Sequence, residues 1–206
     1  MADECSISSF DTEARTDGAA KTTGHELVAR YTTADHSAGA EALLRYLCQA
    51  AADTDLRIAD GEAAQYGFST VEFSGDDGIL AVHDPGRSVV DEAVEVFELQ
   101  RLTCQEAERE FAPLPADAVG IVSSGIRHGR SFEMLRYPAL ENTSGWWFLD
   151  EGYDGDTSKV EGHELAHIAE WRSEIVPYLA LPPGTVVQIG PEGAVVSFDD
   201  SLLDGH

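Results

Sequence analysis

The stretch Ser144-Gly145-Trp146-Trp147-Phe148-Leu149-Asp150 decides how this chain folds. Three bulky aromatic residues follow a Ser-Gly pair and run into an acidic, glycine-broken segment, Asp150-Glu151-Gly152-Tyr153-Asp154-Gly155-Asp156. That pattern reads as a strand opening into a loop. Aromatic side chains carry large apolar areas and dominate both cores and interfaces. Successive side chains alternate across a strand, so one of Trp146 and Trp147 faces in and the other out. Alternation alone leaves open which.

Toward the C-terminus, a short helix is predicted over about His163 to Trp171, with a second helical turn from Ser173 to Leu179. Val186 to Ile189 and Ala194 to Phe198, joined by Gly190-Pro191-Glu192-Gly193, form a closing hairpin. Toward the N-terminus, Ala118 to Val122 is a buried-strand pattern. Phe132 to Tyr137 is a second strand, ended by Pro138, and a polar loop from Glu141 to Gly145 leads into the aromatic block.

The first half reads differently. Residues 1–23 are rich in Ser, Thr, Asp and Gly and read as a mobile acidic tail. Gly24 to Tyr31 is ambiguous between strand and helical turn. Ser37 caps a predicted helix to about Ala52, with Leu43, Leu44 and Leu47 on one face. Leu56 to Ala59 is a short strand, and Thr70 to Phe73 with Ile79 to Val82 is a hairpin around Gly75-Asp76-Asp77-Gly78. Ser88 and Asp91 resemble a capping box opening a helix that runs toward Phe111 and stops at Pro113 and Pro115. The fold class is therefore α+β, with small mixed or antiparallel sheets packed with a few helices. The order is a tail (1–23), a helix-hairpin-helix block (24–112) and a second α+β domain (113–206).

Charge narrows the function. Thirty-eight acidic residues against 13 basic ones give a formal charge of −25, and Lys21 and Lys159 are the only lysines. Nucleic-acid binding needs basic patches to meet phosphates, and none is visible. A basic protein partner suits this surface better. An acidic, lysine-poor chain with 43% hydrophobic residues also suits a high-salt, halophilic cytoplasm, where self-repulsion is screened. No signal peptide and no membrane-spanning run appears, so a cytoplasmic location is expected. Cys5, Cys48 and Cys104 are odd in number and form no C-x-x-C pair, so no disulfide framework is implied. Cys48 and Cys104 read as small buried hydrophobes.

His163-Glu164-Leu165-Ala166-His167 matches the zinc-peptidase pattern, in which two imidazoles one helical turn apart grip the metal and the glutamate is the general base. Several features oppose that reading. No third ligand is well placed: Glu170 and Ser173 stand where the extended pattern wants Gly and His. Placing residues at about 100° per step puts Leu165 and Ile168 beneath the helix and both histidines on the far side. The loop from Asp150 to Asp156 lacks the calcium-binding register, and Ser123, Ser124 and Ser131 lack a nucleophile-elbow context. No catalytic residue, metal or cofactor is assigned.

Several landmarks recur together: Arg136-Tyr137-Pro138; Ser144-Gly145-Trp146; the acidic loop; Glu164 to Trp171; Glu174-Ile175-Val176-Pro177-Tyr178-Leu179; and Leu181-Pro182-Pro183-Gly184-Thr185. In this order and spacing, residues 118–198 resemble an immunity-protein family of polymorphic-toxin systems, first catalogued as a domain of unknown function. The resemblance implies a small, non-enzymatic α+β domain that binds and neutralises a cognate toxin, which makes the H-E-x-x-H match a coincidence. Arg172-Ser173 departs from the turn expected before the next helix.

From the residues themselves, the outward tryptophan of Trp146 and Trp147, with Asp150, Glu151 and Asp154, is the candidate surface for a basic toxin domain, since aromatic anchors ringed by charge make binding hot spots. Two alternatives stand beside it, a zinc-dependent metallopeptidase built on His163, Glu164 and His167 and a stand-alone regulatory protein. Oligomeric state is left open.

Overall fold

A computed structural model describes residues 5–54, 56–76, 78–140 and 143–204. Asp77 of the expected turn and Glu141-Asn142 of the expected polar loop lie outside the described residues. The chain divides into two compact units, Met1–Glu98 and Leu99–His206, each built on a six-stranded mixed sheet. The fold is α+β in two blocks, as the sequence implies.

The first unit contains β1 (Ser6–Phe10), β2 (Glu13–Asp17), α1 (Ala20–Thr23), β3 (Glu26–Arg30), α2 (Ser37–Asp53), β4 (Ala63–Tyr66), β5 (Ser69–Asp76) and β6 (Ile79–His83). It ends in the first turns of α3 (Asp91–Glu106). Strand order is β1-β2-β3-β6-β5-β4, parallel between β3 and β6 and antiparallel elsewhere. The leucine face of α2 (Leu43, Leu44, Leu47) is buried in one cluster with Leu27, Phe73 and Leu80 from the sheet. That removal of apolar surface from water is what holds the helix down.

Residues 6–23, read from composition as a tail, form β1, β2 and α1. Composition counts apolar bulk and misses what a small polar residue does inside a ladder. Thr16 is buried; its hydroxyl accepts from the Leu27 amide at 2.8 Å and donates to Glu26 Oε2 at 2.7 Å. The segment from Leu56 to Ala59 is not a strand; β4 is the strand that pairs with β5. The cap of α3 also differs. Buried Asp84, not Ser88, accepts from the backbone amides of Glu92 (2.9 Å) and Ala93 (3.0 Å). These are donors that the first helical turn leaves without helical partners. The helix stops at Glu106, before Phe111, and Glu108 follows in the left-handed region at φ 55°.

The division between units falls within α3: Ala93 and Val94 belong to the first core, while Gln100 and Cys104 are buried in the second unit. The second unit continues with β7 (Val119–Ser123), β8 (Phe132–Arg136), β9 (Thr143–Asp150), β10 (Val160–Glu164), α4 (Leu165–Trp171), a 3-10 segment (Ser173–Tyr178), β11 (Thr185–Gly190) and β12 (Gly193–Phe198). The order is β10-β7-β9-β8-β11-β12, with β7 and β9 parallel. β10 is a strand that the sequence reading missed. It pairs with β7 through Val160↔Ser123 to Glu164↔Val119, so His163 lies on a strand and the helix begins only at Leu165. The chain before β7 anchors that start: the amides of Leu165 and Ala166 donate to the carbonyls of Ala118 (2.9 Å) and Ala116 (2.8 Å). Among the described residues no helix is long and apolar enough to cross a membrane.

Candidate partner-binding face

In the second unit the aromatic strand separates two unlike sheet faces. Trp146 and Phe148 point to the covered face and are fully buried. On that side Leu165 and Ile168 of α4 lie over Gly120. A Cβ at this glycine would sit 2.8 Å from Phe148 Cε2 and 3.0 Å from Ile168 Cδ1, so the helix can approach only because the position carries no side chain.

The motif residues that carry the family resemblance hold this side together. Ser144 Oγ donates to the Val119 carbonyl (2.9 Å) and accepts from the Trp146 amide (3.1 Å). Gly145 has φ 78°, and a Cβ there would meet the Tyr137 carbonyl oxygen at 2.1 Å, which only glycine avoids. The Leu179 carbonyl accepts from both Arg136 Nη1 (2.8 Å) and Trp146 Nε1 (3.1 Å). Arg136 is itself buried, and loss of water pushes its guanidinium down to about 10. Gly184 donates its amide to the Arg136 carbonyl (2.7 Å), closing the Pro-Pro-Gly turn onto β8.

Arg172, which departs from the family pattern, has a role that pattern reading missed. Its Nη1 donates to the carbonyls of Ile126 and Gly129, both at 2.7 Å, and its Nη2 lies 2.7 Å from Glu174 Oε1. It fastens the β7–β8 loop to the chain after α4. A buried guanidinium beside backbone carbonyls leaves no local sequence periodicity that would reveal it.

The opposite face is open. Register places Ile121, Trp147, Leu135 and Val186 side by side across β7, β9, β8 and β11, a continuous apolar row. Ile121, Trp147 and Leu135 are half-buried while Val186, at the β11 end, is buried, and the Tyr137 ring meets Trp147 edge-on at 6.1 Å between centroids. A hollow of about 700 Å³ lies at the Ile121–Trp147 end of this row, lined also by Val119, Tyr137, Leu149 and Tyr153. Leu140 at its rim is 76% exposed.

The acidic loop borders the hollow, and its carboxylates have distinct tasks. Asp150 shapes the loop: it accepts from the Ser123 hydroxyl and from the amides of Gly152 (2.8 Å) and Gly125 (3.2 Å), while Ser123 Oγ accepts from the Asp150 amide (2.8 Å). The Ser123 hydroxyl, followed by those amides, holds the Asp150 carboxyl below the usual carboxylate range. Asp154 is exposed and pairs with Lys159 Nζ at 2.6 Å, which lowers its pKa in turn. Glu151 points into solvent. Of the five candidates, Trp147, Glu151 and Asp154 are therefore at the surface, Trp146 is core, and Asp150 organises the loop.

The H-E-x-x-H residues do not share one helix face. His163, on β10, packs edge-on to Trp171 at 4.9 Å, with Nε2 3.4 Å from Glu161 Oε2. His167, on α4, is exposed, and its Nδ1 is 3.8 Å from Glu164 Oε2. Arg127 covers the Trp171 ring at 3.7 Å. Among the described residues no group of three or more His, Cys, Asp or Glu side chains is placed to hold a metal.

An α+β domain with one helix-covered sheet face and one open apolar face is the class that these observations define. Residues 99–199 match the family model of the Imm33-like domain, an immunity-protein family. The match contains the resemblance over residues 118–198 and begins earlier, inside α3. No curated protein and no solved structure matches the chain.

Proposed function

We propose that this chain is an immunity protein that binds and neutralises a cognate toxin domain through the open face of its second sheet. The observation that carries the reading is the in-register apolar row Ile121–Trp147–Leu135–Val186 in a domain that matches an immunity-protein family. Such a row is a natural hot-spot core, and the acidic rim of Glu151 and Asp154 supplies charge steering. With a formal charge of −25, the complementary partner is basic. The role is binding rather than catalysis, and the chain works in a salt-rich cytoplasm that screens its self-repulsion.

The test is to read the neighbouring open reading frames for a basic toxin domain and titrate the full chain against it; no such domain in the neighbourhood would count against the assignment. Saturable binding that weakens at least tenfold in Trp147→Ala supports the assignment. Tight binding unaffected by Trp147→Ala and by the double change Glu151→Lys, Asp154→Lys would move the interface elsewhere.

A further inference from the structure

Cys5 and Cys48 are 43 residues apart in sequence, yet their sulfur atoms lie 3.2 Å apart. Cys5 immediately precedes β1, the edge strand of the first sheet, and Cys48 lies on α2. A second link joins the same two elements, because the Ser9 hydroxyl donates to Glu41 Oε1. Moving from Cys5 to Ser9 advances about 13 Å along an extended chain, and moving back from Cys48 to Glu41 covers about 10 Å of helix. The two links therefore fit one antiparallel docking of β1 along α2, with Ile7 packed against the core beneath. The sulfur contact belongs to a strand seated on a helix. Cys104 is not part of it: it is buried in the second unit and donates to the Ala180 carbonyl at 3.3 Å.

We propose that Cys5 and Cys48 are a redox pair that closes to a disulfide and so fastens the edge strand β1 to α2. The oxidant is a low-molecular-weight disulfide, RS–SR. The Cys5 thiolate attacks one of its sulfurs, the RS–SR bond breaks, RS⁻ leaves and takes a proton, and a Cys5–SR mixed disulfide remains. Cys48 then loses its proton to solvent and attacks the Cys5 sulfur, expelling the second RS⁻, which is protonated to RSH. Two protein thiols are oxidised and one RS–SR is reduced to two RSH.

The order of attack follows from the surroundings. Burial first, then the Cys5 sulfur beside it, pushes the Cys48 thiol up, which suits Cys48 to the resolving role after attack by Cys5. Before closure, β1 is held by its ladder with β2 and by noncovalent contacts with α2. After closure the start of the edge strand is tethered covalently to α2, which resists its fraying away from β2.

The experiment incubates the reduced full chain with glutathione disulfide, removes the small molecules and counts free thiols under denaturing conditions, with peptide mapping. The count is expected to fall from three to one, with a Cys5–Cys48 cross-linked peptide, and amide exchange across Ile7 to Phe10 slows. Cys104→Ser leaves the cross-link intact, while Cys5→Ser and Cys48→Ser each abolish it and keep the native circular dichroism spectrum. Three thiols throughout, a glutathione adduct on Cys5 that never resolves, or disulfides joining two chains would each overturn the proposal.

Discussion

Arg136 and Trp146, paired across β8 and β9, donate to one acceptor, the backbone carbonyl of Leu179. The guanidinium lies 5.3 Å from the indole centroid, so a strand pair and the 3-10 segment that precedes Leu179 are locked at a single point. The neighbouring residue Trp147 takes no part in this lock because it points to the other face.

The two tryptophans are thus expected to separate stability from binding. Trp146→Ala empties a fully buried site and costs about 3–5 kcal/mol, read as a lowered urea midpoint. Trp147→Ala, at a half-buried position, costs no more than about 2 kcal/mol. Equal losses in the two variants would contradict the division of faces.

Asp150 makes part of the stability pH-dependent. Its folded pKa is depressed, so its contribution is present above the unfolded value of about 3.9 and is lost as pH falls through the lower folded value. Asp150→Asn is expected to cost about 1–2 kcal/mol at neutral pH, with variant and parent converging in strong acid. Urea midpoints measured against pH check this. A constant gap down to the lowest pH would argue against the carboxylate as its source.

The cap on α3 is a third test. Asp84→Ala is expected to cost about 1–2 kcal/mol, because two amides of the first turn lose their acceptor. Ser88→Ala should leave the denaturation midpoint nearly unchanged. The reverse order would restore Ser88 as the cap.

Salt provides a fourth. At a formal charge of −25 the folded chain repels itself, and the screening length shrinks from ~10 Å at 0.1 M to ~3 Å at 1 M salt. The thermal midpoint is therefore expected to rise as KCl increases over that range. A flat or falling midpoint would remove the high-salt reading.

What could be read from sequence follows the range of the interaction behind each feature. The leucine face of α2, the β5–β6 and β11–β12 hairpins and the aromatic strand β9 were legible because periodicity and turn chemistry are local. The alternation of Trp146 and Trp147 was legible too, but not its direction. That depends on the lack of a side chain at Gly120 and on the Leu179 carbonyl, both brought in by pairing and packing at long range. β10 was hidden because Val160-Glu161-Gly162-His163-Glu164 is a polar edge strand whose partner is β7, far along the chain. The same pairing dismantles the apparent zinc motif, since it takes His163 off the helix. β1 and β2 were missed for a related reason: Ser, Thr and Asp satisfy themselves in a ladder without apolar bulk.

The most direct measurement is binding of the full chain to a basic toxin domain from a neighbouring open reading frame, by calorimetry, for the parent, Trp147→Ala and the double variant Glu151→Lys, Asp154→Lys. The account expects saturable binding by the parent, at least a tenfold loss for Trp147→Ala and a slower, salt-sensitive association for the charge reversal. No binding by the folded parent, or full-strength binding by every variant, would contradict it.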